Sequence, residues 1–584
     1  RFFLSLIVDE KIDDLKNNRG IQPLPNLEFK FVCANSLIGL PGALVGSYKE
    51  RLQPKLFEVV DNIAELKKLR EEYLRCYGDE KTSIEKKFQE IQTEMLSSSL
   101  KWLSWGGKDS QTVKLSQWNP FSGESCKWFD PEWMFGVKDG FDIIITNPPY
   151  IGEKGHKEIF REIKQGTLGK YYQGKMDLFY FFFHLALDIG KQNSQIAFIT
   201  TNYYPTAYGA KKLRQEFKEN TIIKGLINFN ELKIFESALG QHNMITILEK
   251  AQDERVFAQT CITQRQGIAN SQTLQQILSG KDTETHYCKV SQKDLYDGDE
   301  CYIRPTGSSL VSDDPLQRIL ESIKNQGELL GIICNVNQGI ITGADKVSRK
   351  HIEKYKVNAQ VGDGIFVLSD NEIKNLQINS MEEEIIRPWF KSSDISQYFT
   401  NIRAVEYLLD LNYTSRPDIE QFPNIQRHLL KFKTLLKARP TPGTLISAFS
   451  HGMWWVLTTS RQQSFNGPKI VVPQRNPRNT FGYNEIPWYA ASDVFFITEK
   501  DKSVFLKYIL ALINSKLYYF WLYHRGKRKG QTLELIAKPL SEIPIKKVNL
   551  DDQRPFIEIV DKILCITNSA DYLSNSSEQA EAKE

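Results

Sequence analysis

Phe141-Asp142-Ile143-Ile144-Ile145-Thr146-Asn147-Pro148-Pro149-Tyr150 is the stretch from which the fold is read. Its first half is a short β-branched run, the pattern of a strand buried in a parallel sheet. Its second half is a stiff turn, placed where open α/β sheets bind ligands, at a strand's carboxyl end. Consecutive prolines fix φ and remove their backbone donors, which leaves acceptors pointing from a rigid turn into the site. The Asn147 side-chain carbonyl and the backbone carbonyl of the following proline can accept from the N–H groups of an exocyclic amine. Such an amine is a poor nucleophile while its lone pair is delocalised into a base; holding the nitrogen near tetrahedral frees that pair. Tyr150 adds a flat π face on which a base extruded from a duplex can stack. The pattern predicts methyl transfer onto an exocyclic amino group, with a purely structural proline turn as the alternative.

Working outward, residues 1–45 read as a helix, a turn at Gln22-Pro23-Leu24-Pro25 and a strand. Leu52, Leu56, Val59, Ile63 and Leu66, then Ile84, Phe88, Ile91 and Met95, recur at helical spacing and predict a helical hairpin inserted over 46–105. A Trp-rich stretch from Trp118 to Trp133 leads into the first quoted strand. Residues 151–174 are rich in glycine and lysine and predict a mobile loop over a bound polymer, with Lys154 and His156 as phosphate contacts. His156 is not required as a base, because an amino proton can leave to solvent. Strands over 196–200, 222–228 and 244–248 with a helix over 209–219 complete a doubly wound, Rossmann-like α/β pattern. Residues 251–312 read as a polar connector, 313–567 as a second, α+β domain with glycine-punctuated strands, and 568–584 as a disordered tail.

These blocks, in this order, resemble the gamma class of amino-methylating, adenine-specific DNA methyltransferases, of the large Type IIG restriction–modification kind. Phe31-Val32-Cys33-Ala34-Asn35-Ser36-Leu37-Ile38 is similar to the strand and turn that contact the cofactor's adenine. Met176-Asp177-Leu178-Phe179-Tyr180 is similar to the helix start closing the cofactor pocket, and Lys233-Ile234-Phe235 to the block whose aromatic packs on the flipped base opposite Tyr150. The resemblance therefore implies Asn147, Pro148, Pro149, Tyr150 and Phe235 as catalytic residues, and Asn35, Asn147 and Asp177 as contacts to S-adenosylmethionine. The family's glycine-rich cofactor loop and the ribose-binding acid after it do not occur in residues 1–584. Arg1-Phe2-Phe3-Leu4-Ser5-Leu6-Ile7 resembles the end of the helix that follows them, so the reading expects an amino-terminal part to be missing and this chain alone to be inactive.

Beyond residue 312 the chain resembles the target-recognition domain shared with Type I specificity subunits, through Gly339 to Lys346, Ile386 to Lys391, Lys469 to Pro473, Leu512 to Leu517 and Pro539 to Pro544. An apolar helix from Phe505 to Tyr523 is expected as a spacer arm. Gln474-Arg475-Asn476-Pro477-Arg478-Asn479 carries side chains that suit major-groove readout, although Arg475 and Arg478 serve phosphate equally well.

The net charge of +4 does not point to nucleic acid by itself, but its distribution does. Residues 424–439 hold Arg427, Lys431, Lys433, Lys437 and Arg439 with no acid, and 521–530 hold Arg525, Lys527, Arg528 and Lys529 beside aromatics. Both suit double-stranded DNA, with a solvated helix face as the other reading. The eight cysteines form no Cys-x-x-Cys pair, so neither a zinc site nor a disulfide framework is expected. No metal ligands are assigned, and magnesium is expected only if a nuclease precedes the chain. Glu65-Leu66-Lys67 and Glu231-Leu232-Lys233 are read as chance matches to a nuclease motif. The expected setting is the cytoplasm of a bacterial or archaeal cell, in a restriction–modification or phage-defence system. Cytosine remains a possible amino target, and the competing class is a DNA-binding specificity component that works through a partner chain.

Overall fold

A computed structural model describes residues 12–15, 19, 28–40, 53–100, 111–236, 241–307, 315–412, 418–439, 448–449, 451–458, 465–529 and 532–568. The expectations at residues 1–7, 22–25 and 569–584 lie outside these, as do Leu52 and the side chains of Leu56, Val59 and Ile63. The chain forms two compact units, residues 1–308 and 309–584. Among the described residues no helix is long and apolar enough to cross a membrane, and all eight cysteines are free thiols.

The first unit is built on a six-stranded sheet in the order β1-β2-β4-β3-β5-β6. Its strands are β1 (Phe141–Thr146), β2 (Gly190–Thr201), β3 (Ile222–Asn228), β4 (Asn243–Glu249), β5 (Phe257–Thr263) and β6 (Thr285–Ser291). The sheet is mixed: β1 with β2 and β3 with β5 are parallel, while β2–β4, β3–β4 and β5–β6 are antiparallel. Residues 251–312 are therefore not a connector. Their two strands extend the sheet, pairing antiparallel from Phe257 with Ser291 to Thr263 with Thr285, and the helix Ser271–Leu278 lies between them in sequence. Polar faces on these outer strands hid that pattern.

The helix Leu178–Ile189 runs straight into β2 and is nearly all buried. Phe179, Phe181, Phe183, Phe198, Leu226 and Met244 form the centre of the core around it. Gly140 enters β1 at φ +92°, and a Cβ there would stand 2.6 Å from the Ile189 carbonyl oxygen, so only glycine lets β1 start against that helix end. The expectation of a strand buried on both sides fails for β1. Among the described residues it pairs on one side only, and Ile143 and Ile145 are 64% and 75% exposed. Composition reports what a strand can bury, whereas neighbours decide what it does bury.

The helical hairpin is present as Gln53–Tyr73 and Asp79–Leu100. Leu66, Leu69, Tyr73, Phe88 and Met95 pack with Trp118, Trp128 and Trp133, so the Trp-rich stretch is the floor on which the hairpin rests. Residues 31–40 are not a sheet strand; they touch the chain through isolated bridges, Ala34 to Cys126 and Gly39 to Phe129. Glu65 to Lys67 is helical, and Glu231 to Lys233 lies in a turn.

The second unit holds two four-stranded sheets. One pairs Cys334–Gln338, Val494–Glu499, Lys469–Pro473 and Gly482–Asn484 in antiparallel fashion. The other contains Val367–Ser369, Glu406–Leu409, Ile386–Phe390 and Tyr489–Ala490. The antiparallel sheet turns Val471, Val494 and Phe496 into a core shared with the second sheet, and Ile470, Val472 and Ile497 into another core. The expected spacer helix is broken into Leu506–Asn514 and Lys516–Arg525, because Ser515 is extended at ψ 160° and caps the second helix by accepting from the Tyr518 N–H. The longest described helix here is instead Leu550–Thr567, whose Val560 and Leu564 join Ile509 and Ile513 in the core.

Candidate active site

Thr146 pairs with Phe198, so the turn Asn147 to Tyr150 leaves the sheet beside Ile199. Asn147 and Pro149 are exposed, Pro148 is buried and Tyr150 is half-buried. The Tyr150 hydroxyl lies 2.8 Å from Asn147 Oδ1 and 3.0 Å from the Ile199 carbonyl, both acceptors for its single proton. Its ring meets Phe179 edge-on at a centroid distance of 6.2 Å. Burial pushes the phenol up to about 12, with the Asn243 carboxamide opposing the rise and the Asp177 charge adding to it.

The chain after Tyr150 is laced to residues 176–178. The Leu178 N–H donates to the Ile151 carbonyl at 2.8 Å, the Glu153 N–H to that of Met176 at 2.9 Å, and Gly152 bridges Asp177. The Asp177 carboxyl is raised to about 6 by burial, against the backbone N–H groups of Phe179, Leu178 and Ile151. Its Oδ1 is buried without a partner among the described residues. That orphan acceptor suits a ligand that brings its own N–H or O–H donors, as an amino-acid-bearing nucleoside such as S-adenosylmethionine does.

A consequence follows for stability. Asp177 stays protonated in the folded chain up to about pH 6, whereas the unfolded carboxyl ionises near 4. Across that window the native state binds the extra proton, so stability falls as pH rises from about 4 to 6. Asp177→Asn should remove this slope and raise stability at pH 7.5, on the order of 2 kcal/mol. Urea unfolding of both proteins at pH 5 and 7.5 checks it; parallel pH profiles would count against it.

The other expected residues are placed as follows. Asn35 is exposed, and its Oδ1 accepts from the Leu37 N–H at 3.3 Å in a local turn. No contact joins it to Asn147 or Asp177 among the described residues. Phe235 lies half-buried in the loop after β3, which Lys233 pins through the Gly267 carbonyl, and makes no ring contact with Tyr150. Residues 151–174 are not a structureless loop. They form the helix Lys157–Gln165, with Phe160 and Ile163 buried, and a 3-10 turn Thr167–Tyr171 in which Tyr171 stacks on buried His184 at 3.8 Å. Four-residue spacing of apolar groups in 156–165 was the signal, masked by the flanking glycines. Lys154 and His156 are exposed.

In the second unit the basic residues separate into two kinds. Arg427, Lys431, Lys433 and Lys437 are exposed along one helical segment. Arg439 is buried, donating to the carbonyls of Leu436, Thr342, Trp454 and Val456, and holds loops together instead. Arg475–Asn476 pairs with Thr532–Glu534, which pairs with Arg528–Lys529. On this small ribbon Arg478 is exposed, Arg528 covers the Tyr523 ring at 3.9 Å, and Glu534 binds both Lys527 at 2.6 Å and Arg475 at 3.3 Å. Arg525 departs from expectation: it is buried and faces Glu321 at 3.5 Å. Arg478→Ala should weaken DNA binding and lower the salt slope by about one, leaving stability unchanged. Arg525→Ala should instead cost about 3–5 kcal/mol of stability by stranding a buried carboxylate. Salt-dependent binding titrations with urea unfolding separate the two; a salt effect from Arg525→Ala at native stability would reverse the assignment.

Asn243 was missed by sequence reasoning. It is 1% exposed at the start of β4, its Nδ2 is buried without a partner among the described residues, and no motif marks it.

Residues 43–235 match the Eco57I restriction-modification methylase family, and residues 388–545 match the TaqI-like C-terminal specificity domain. The Type II methyltransferase M.HindII of Haemophilus influenzae is 22% identical over 435 residues, covering 70% of this chain and 76% of that protein. The Type II methyltransferase M.BstVI of Geobacillus stearothermophilus is 20% identical over 433 residues, covering 71% and 69%. Among solved structures, the Type IIL restriction-modification enzyme MmeI in complex with DNA aligns with a TM-score of 0.49 at 14% identity, over 75% of this chain and 52% of that one. The chain is thus similar to a restriction-modification methylase over residues 43–235 and to a specificity domain over residues 388–545.

Proposed function

We infer that this chain is the modification methyltransferase of a restriction–modification system, transferring a methyl group to the exocyclic amine of adenine in double-stranded DNA. One observation carries the reading: a proline-stiffened turn, Asn147 to Tyr150, stands at the carboxyl end of β1 with Asn147 exposed and Tyr150 anchored beside it. Asn147 Oδ1 and a proline carbonyl of the turn accept the two amino N–H groups and hold the nitrogen near tetrahedral, so that its lone pair points outward. As the nitrogen gains carbon it loses a proton to solvent, and no side-chain base is needed. Asp177, Asn147 and Asn35 are the residues of this chain that would hold S-adenosylmethionine, whose sulfonium supplies the electrophilic methyl. The exposed part of the Tyr150 ring, with Phe235 brought in by its loop, encloses the extruded base. Arg478, Arg528 and the 427–437 segment supply contacts to DNA, and the setting is the cytoplasm, where cellular DNA is met. Whether a nuclease, with its magnesium, or a separate restriction subunit completes the system is left to the whole protein.

The test is transfer of labelled methyl from S-adenosylmethionine to duplex DNA by the complete protein, followed by digestion to nucleosides. Label in N6-methyladenine supports the reading. Label in cytosine overturns the choice of base, and DNA binding without label favours the specificity component.

A further inference from the structure

We propose that Glu534 is a positioning residue that holds the Arg475 guanidinium ready to read a guanine edge in the major groove, so that Arg475 selects sequence while Arg478 contacts phosphate. The inference rests on the DNA-recognition part of the reading above and needs no methyl transfer.

Two cations and one anion lie in a single row across the ribbon. Arg475 pairs with Glu534 between neighbouring strands, and on the other side the Glu534 N–H donates to the Lys527 carbonyl at 2.8 Å. The side chains meet as well: Glu534 Oε2 lies 2.6 Å from Lys527 Nζ, and Oε1 lies 3.3 Å from Arg475 Nη2. Leu533, the preceding residue of the same strand, is fully buried, which places Glu534 on the face turned away from the core. The carboxylate is the fixed member of the row. Its side chain is 13% exposed, whereas that of Arg475 is 55% exposed. Burial raises the Glu534 carboxyl, and the Lys527 and Arg475 N–H groups outweigh that effect, so the group is ionised at neutral pH.

From this carboxylate the guanidinium is aimed. Lys527 occupies Oε2, so Arg475 is held through Oε1 alone and is not consumed in a two-bond pair. Of its five N–H donors, only Nη2 is engaged among the described residues. Nε and Nη1 stay available, and the freedom of a long side chain is already restricted before DNA arrives. The charges then decide what Arg475 binds. A phosphate brought to it meets the Glu534 carboxylate behind, and like charges repel. A guanine edge offers O6 and N7 without net charge, spaced for two N–H groups of one guanidinium. Arg478 stands three positions on, exposed and with no acid paired to it among the described residues, which suits phosphate.

The test is selection of bound duplexes from a random-sequence library by the full chain, read by sequencing, with binding titrations at several salt concentrations. Wild type should enrich a motif that contains an invariant G·C pair. Arg475→Ala and Arg475→Lys should each lower the preference at one such pair by about tenfold or more, with the salt slope unchanged. Glu534→Ala should relax that same pair. If Glu534→Ala does not fold, Glu534→Asp, which keeps the charge and draws it back by one methylene, takes its place with the same expectation. Arg475→Ala with an intact motif and a salt slope lower by about one would make Arg475 a phosphate contact and overturn the proposal. An unchanged motif in a folded Glu534 variant, or relaxation at a different pair, would overturn it too. So would equally tighter binding of every sequence by Glu534→Ala, since the carboxylate would then be a plain counter-charge. Absence of any motif with folded wild type overturns it as well, whereas a retained motif without transfer of labelled methyl would overturn only the reaction.

Discussion

Asn147→Ala in the complete protein should lower methyl transfer by about two to three orders of magnitude, while Kd for DNA moves by less than about twofold. The asymmetry follows from where the side chain stands. Asn147 is exposed at the end of β1 and supports no core contact, so its removal costs the fold little. On the proposed reading, its oxygen acts when an amine is held with its lone pair turned out, which is a feature of the transition state. The measurement is single-turnover transfer of labelled methyl alongside a binding titration on the same duplex. Wild-type turnover in the variant would remove Asn147 from the chemistry. A parallel fall in affinity would make it a DNA contact instead. The hydroxyl of Tyr150 would also lose one of its acceptors, and it retains the Ile199 carbonyl, so the turn should keep its path.

The turn itself was legible in the sequence because proline and asparagine constrain the backbone and its polar groups locally. So were the core helix at 178–187 and the hairpin over 53–100, whose apolar spacing is helical whatever surrounds it. What stayed hidden depends on distant partners. Residues 257–263 and 285–291 read as polar connector because each strand buries only part of its surface, and pairing across the sheet is not written in either segment alone. Arg525 and Arg439 sit in basic stretches that look alike in sequence. One meets Glu321, more than two hundred positions away, and the other meets four backbone carbonyls, so charge pattern could not tell them from exposed Arg478. Asn243 shows the same limit: it is buried where β4 pairs with β2, and an asparagine at a strand start carries no signature of that neighbour.

Removing residues 309–584 should abolish sequence preference and lower DNA affinity by about a thousandfold or more, to the level of non-specific binding. The two units bury separate cores, one around Phe179, Phe183 and Leu226, the others around Trp488 and Ile509. The shortened chain should therefore keep its sheet and show cooperative unfolding. Recognition is assigned to the second unit because its ribbon carries Arg478, Asn476 and Arg528, side chains that can address base edges and phosphates. In the first unit the exposed Lys154 suits the phosphate backbone, a contact without sequence information. Competition binding with specific and scrambled duplexes, at two salt concentrations, separates the terms: loss of specificity with a retained salt slope places phosphate contacts in the first unit. Preference that survives the truncation would move recognition into residues 1–308 and leave the ribbon as a structural element.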